Sequence, residues 1–130
     1  MLLVQYGLGL WVNLKLAVPG SDSGAGFWSG FIDAITRGPV ALSLHAILGT
    51  LLILSAVALV IRAVRLRSPM WTVLAAVGLV AILLAWITGV RFVVTADTEA
   101  TLLMGLMTAV ALFCFAVIVF TSTFADRSRR

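Results

Sequence analysis

Four apolar blocks divide the chain, at about 1–18, 40–62, 70–93 and 100–123, and polar residues gather in the links between them. A helix needs roughly 20 apolar residues to cross a hydrocarbon core about 30 Å thick. All four blocks are read as spans, the first being the shortest. In that first block, "MLLVQYGLGLWVNLKLAVP", Gln5, Gly9 and Asn13 recur every four residues and so share one helix face. In lipid such a face turns toward other helices, where amides find partners and glycine permits close approach. Trp11 and Lys15 approach the outer interface, and Pro19-Gly20 ends the span.

The link from 19 to 39 opens with "GSDSGAG", a flexible turn. In "FWSGFIDAITRGP" that follows, Phe27, Trp28, Phe31, Ile32 and Ile35 recur at helical spacing while Ser29, Asp33 and Thr36 face away. That pattern predicts a short helix over about 27–37 lying in the membrane interface, as an anchor or a lid. Gly38 suits its C-cap, and Pro39 can open the next helix. The link "RAVRLRSP" is short, so the second and third blocks are antiparallel neighbours. Gly78, Ala81, Ala85 and Gly89 form a small-residue stripe on the third block, whose default meaning is close helix packing. The acidic link "TADTE" offers Asp97 or Thr98 as a cap for the fourth block, with Glu99 favourable at the helix dipole. The predicted architecture is an all-α integral membrane four-helix bundle, up-down-up-down, with one outer interfacial helix.

Composition agrees. The chain of 130 residues is 62% hydrophobic and 11% charged, against about 25% charged in soluble domains. The net charge of +4 reads as a topology signal rather than a nucleic-acid footprint. Six of the nine cations lie on one side: Arg62, Arg65 and Arg67, with Arg127, Arg129 and Arg130. The positive-inside rule puts that side in the cytoplasm of a bacterial-type plasma membrane, both termini included. No basic region precedes the first block and no small-x-small site follows it at once, so it is read as retained rather than as a cleaved signal. The lone Cys114 excludes an internal disulfide or a CxxC site within these residues.

Most chemical templates are missing: no HExxH, no phosphate loop, and no acidic residue in mid-span to drive a proton or cation pump. The single histidine, His45, stands out in "PVALSLHAILGTLLIL". An ionisable side chain inside a span is a functional hypothesis by default. It lies about five residues into the second block, or ~7 Å below the outer end. One reading is a neutral imidazole bonded to Asn13, Thr101 or a helix carbonyl. The other is an axial ligand of haem b. Gly49 shares its face and leaves room for a flat ring, and Met104 sits at matching depth on the fourth block, with Met107 one turn away. Arg91 and Lys15 are the cations near that rim for the propionates.

"LHAILGTLLILSAVALVIRAVR", followed by the small-residue third block, resembles small four-helix membrane proteins of actinobacterial type. More distantly, His45 to Gly49 resembles b-type haem membrane families, the haem A synthase and transmembrane ferric-reductase classes. That likeness implies haem b and electron transfer. In those families a second histidine completes the iron; here Met104 replaces it, two protomers each contribute His45, or there is no haem. Two other functions compete. One is a non-catalytic accessory or scaffold subunit of a larger membrane complex. The other is a small-solute transporter or channel formed by a homo-oligomer, with Gln5, Asn13, His45 and Thr101 lining a cavity. Trp11, Trp86 and the interfacial helix also suit an apolar cleft for a lipid or quinone. The one partner common to all readings is the lipid bilayer.

Overall fold

The computed structural model describes residues 1–15, 26–95 and 98–127. Among these residues the chain forms five helices and no strand: α1 (Leu2–Lys15), α2 (Phe27–Thr36), α3 (Val40–Arg65), α4 (Pro69–Thr95) and α5 (Thr98–Arg127). Three of them, α3, α4 and α5, are long and apolar enough to cross a membrane. The first block forms a helix, but its 14 residues span about 21 Å, less than the hydrocarbon core. Asn13 and Lys15 fall in its last turn, where side chains lie outside the described residues. The short amphipathic helix expected over 27–37 is α2.

The centre of the assembly is α4. Of its apolar window 33% is buried, against 11% for α3 and 17% for α5. It packs most extensively on α5, then on α3, while α1 rests on α3 and α5, and α2 on α3 and α4. The residues Trp71, Gly78 and Gly89, in order along α4, meet Thr121, Phe115 and Met104 in reverse order along α5. The two helices therefore run in opposite directions. The Trp71 indole N–H donates to the Thr121 hydroxyl at 3.1 Å. A Cβ on Gly78 would come within 2.7 Å of the Phe115 ring, so only glycine admits that ring here. A Cβ on Gly89 would lie 3.2 Å from the Met104 sulfur. The small-residue stripe of α4 thus works as sockets for large side chains of α5. The interior between α3, α4 and α5 is filled by Leu52, Ala56, Ala81, Ile82 and Ala111, all buried.

The outer faces are apolar, with Leu54, Val73, Val80, Leu102, Leu106 and Phe113 all exposed. Five hydroxyls on the long helices close on their own backbones. Thr50, Ser55, Thr88, Thr108 and Thr121 each donate to the carbonyl four residues earlier. This is how a helix satisfies such groups where water is scarce.

Pro39 caps the start of α3 in an extended conformation, and its carbonyl accepts from the Leu42 and Ser43 amides. At the other end, α3 closes through paired bonds: Ser68 N–H to the Ala63 carbonyl and Arg67 N–H to the Val64 carbonyl. These are the bonds of a Schellman motif, with Arg67 at its left-handed position (φ 52°) where glycine is usual. The chain reverses there in three residues, as the short "LRS" link requires.

Candidate functional site

The site is built where α1 crosses α3. Gln5 is buried at 8% exposure, and its side-chain amide nitrogen donates to the backbone carbonyl of His45 at 2.8 Å. Gly9, one turn further along α1, faces the imidazole; a Cβ there would lie 2.9 Å from His45 Cε1. The Gln5/Gly9 face of α1 is thus turned toward the bundle, as its spacing predicts.

These residues open onto a cavity of about 160 Å³ walled by α1, α3, α4, α5 and Phe31 of α2. His45, Gly49 and Met104 all line it. So do Gln5, Trp86 and Thr101. Arg91 is exposed and is not part of this wall. Lys15 cannot be placed against it, because its side chain lies outside the described residues. Met107 is half-buried and does not line the cavity.

The notch at Gly49 is occupied. A Cβ there would meet the Gln5 amide nitrogen at 3.2 Å and Trp86 Cδ1 at 3.8 Å. Gly49 therefore makes room for the α1–α3 tie, not for a flat ring lying beside His45. Gly105 differs: a Cβ there would meet nothing within 4 Å, so this part of the α5 wall has space beside it.

Polar atoms in the wall are few, and Gln5 Oε1, His45 Nδ1 and Thr101 Oγ1 are buried with no hydrogen-bond partner. Thr101 sits in the first turn of α5, where no helical carbonyl lies four residues back to receive its hydroxyl. Leaving a buried polar group unpaired costs about 1–3 kcal/mol. All three belong to residues that line the cavity. Among the described residues no group of three or more His, Cys, Asp or Glu side chains could hold a metal ion.

The aromatic wall comes from α2 and α4. The Phe31 and Trp86 rings meet edge to face with centroids 5.2 Å apart, and Trp28 stands 6.3 Å from Trp86. Trp28 and Ile32 are otherwise exposed. The apolar face of α2 is thus divided, with Phe31 closing the cavity and Trp28 and Ile32 directed outward.

From sequence, Gln5 is legible as one of a bundle-facing set, but not as the residue that pins His45. Its signal was a lone amide four residues before a glycine in an otherwise apolar helix. The Phe31–Trp86 contact left a weaker signal, an aromatic at the inward position of an amphipathic helix. Compared with family models, with curated proteins and with solved structures, the chain finds no match.

Proposed function

We propose that this chain is an integral membrane protein that binds a small, mainly apolar ligand in the outer half of its bundle. In this reading α1 is the fourth span, the Arg62–Arg67 link is cytoplasmic, and α2 lies in the outer interface of the plasma membrane. The carrying observation is the apolar cavity with Gln5 Oε1, His45 Nδ1 and Thr101 Oγ1 buried and unpartnered in its wall. Apolar walls with a few convergent polar groups are the usual form of a small-molecule site. The same apolar wall offers no polar path, which weighs against solute transport. Gly105 supplies the test, because it lines the cavity and a Cβ there meets nothing within 4 Å, so Gly105→Leu adds its bulk at the wall. Protein purified from its native membrane should carry an extractable apolar molecule at about one per chain, and the plugged variant should carry none. Equal amounts in both would overturn the reading.

A second reading is haem b in electron transfer, with His45 and Met104 as axial ligands. What favours it is that His45, Gly49 and Met104 line one cavity. The fit is poor in this arrangement. The cavity is about 160 Å³, below the roughly 300–1,000 Å³ of drug-sized ligand sites, so it suits a molecule smaller than those and not a porphyrin, and Gln5 and Trp86 fill the notch at Gly49. A porphyrin would have to displace α1. A Soret band after haem reconstitution, lost in His45→Ala, would establish this reading over the first; no band would end it.

A further inference from the structure

The cavity has a length and an open side, and both bear on what fills it. Its lining residues run from Leu42 to Leu52 on α3 and from Ile82 to Phe92 on α4, in each case about 15 Å of helix rise. Leu42 lies in the first turn of α3 and Leu52 at its middle. In a hydrocarbon core about 30 Å thick, such a slot reaches from the outer rim to the midplane. The surface it presents is almost wholly apolar.

Both ends are covered. At the outer end Phe31 of α2 lines the cavity and packs on Trp86. At the deep end Leu2 of α1 packs against the buried cluster that holds Leu52 and Ile82. The side between α1 and α5 is different, for their contact is the least extensive among the packed helix pairs. Leu2 shares a surface groove with Leu112 and Phe115 of α5, and Tyr6 and Leu10 follow it at four-residue steps on the same face. Tyr6 and Leu10 line the cavity and are exposed at once, which marks them as its rim. Opposite them Gly105 of α5 also lines it, with nothing within 4 Å of a Cβ. Among the described residues α2 packs on neither α1 nor α5, so it leaves this side uncovered. The slot thus opens sideways, onto the apolar outer surface that carries Leu102 and Leu106.

We infer that the slot takes the acyl chain of an outer-leaflet lipid, which enters sideways between α1 and α5 and lies along the helices. This deepens the binding function proposed above and rests on it. What enters is small because it is one arm of a larger molecule that stays in the bilayer. The volume of about 160 Å³ matches an apolar cavity that holds one benzene, so it receives a segment of about six carbons. An acyl chain approaches lengthwise, already aligned with the slot, and its polar head never crosses the wall. Acyl chains are the solvent on that side, so mass action keeps the slot filled.

Trp86 lines the slot and reports on its contents, because bromine on a neighbouring chain quenches indole fluorescence only near contact. The exposed Trp11 and Trp28 are removed as Trp11→Phe and Trp28→Phe. Trp71, about 22 Å away along α4, adds the same signal to every variant. The full chain is placed in bilayers of dibromostearoyl phosphatidylcholine, and separately in plain bilayers with bromohexane added. Quenching by the brominated lipid should be about twofold stronger than in Gly105→Leu, since the plug removes a chain that is otherwise always present. Gly7→Leu adds equal bulk away from the cavity, where a Cβ also meets nothing within 4 Å, and should quench like its parent. Should Gly105→Leu fail to fold, Thr108→Leu fills the same wall, because the Thr108 hydroxyl serves its own helix at the Met104 carbonyl.

Plug-sensitive quenching by the lipid supports the inference whether or not bromohexane also enters. Lipid quenching that is equal with and without the plug, beside bromohexane quenching that the plug removes, would overturn the acyl-chain inference and leave the binding function standing. If neither probe quenches above the plugged level, both fall.

Discussion

The Gln5 side chain holds the His45 backbone carbonyl at 2.8 Å across 40 residues of sequence. It joins α1 to the histidine helix by a bond that needs nothing from the imidazole. Hydrogen bonds between helices in lipid contribute about 0.6 kcal/mol on average and up to roughly 1.7. Gln5→Leu should destabilise the protein by about 0.6–1.7 kcal/mol, read as a lower midpoint in detergent-denaturant titration. His45→Leu should leave this tie intact and cost less. A larger loss in His45→Leu would show that the ring, not the carbonyl, anchors α1.

Two glycines on α1 make a matched pair. Gly9 leaves 2.9 Å for a Cβ before His45 Cε1, whereas Gly7 meets nothing within 4 Å. Gly9→Ala should push the imidazole out of place and destabilise by about 1–3 kcal/mol, the range for overpacking. Gly7→Ala should cost nothing. Thermal unfolding of the two variants in one detergent is sufficient, and equal midpoints would contradict the packing described.

On α4, the Gly78 socket holds the Phe115 ring at 2.7 Å from where a Cβ would stand. Gly78→Ala is expected to cost about 1–3 kcal/mol. Adding Phe115→Leu should recover part of that loss, because the smaller side chain yields space. A double-mutant cycle measures the coupling, and strict additivity would refute the socket.

Arg67 occupies a left-handed position at the end of α3. A non-glycine residue pays roughly 1–2 kcal/mol for that conformation. Arg67→Gly should therefore stabilise the folded protein by about 1 kcal/mol. If Arg67 also orients the chain, the same variant should show a larger share of inverted molecules in a protease-protection assay. Stabilisation without inversion would assign the orienting charge to Arg62 and Arg65.

The long helices and α2 were legible because length and hydropathy alone define them. The three long blocks became α3, α4 and α5, and the amphipathic run at 27–37 became α2. Periodicity also turned Gln5 and Gly9 to the correct face. It could not say what would meet them, since a helix face names no residue on the helix opposite. The stripe at Gly78 and Gly89 shows the same gap. A small residue at an interface admits either a close backbone or a large side chain, and spacing does not distinguish them. Here Phe115 and Met104 enter. Grouping His45, Gly49 and Met104 by depth succeeded as far as one cavity wall. It missed that Gln5 and Trp86 had already taken the space beside Gly49, because that depends on α1, whose position no local pattern encodes. Arg67 broke a local rule, and no signal in the link pointed to a left-handed arginine.

The α4–α5 pair meets at three heights: Trp71 with Thr121, Gly78 with Phe115, and Gly89 with Met104. Sliding one helix past the other by a single turn, about 5.4 Å, would unseat all three at once. The pair can thus be treated as a ruler with fixed marks, against which the depth of every other wall residue is measured. Among the described residues, α1 is fixed by fewer marks: the Gln5 amide, the hollow at Gly9, and Val12 against Leu42. The wall that α1 gives the cavity is accordingly the one whose depth is least fixed, and a shift of α1 would change the cavity's width while the α4–α5 wall stayed as it is.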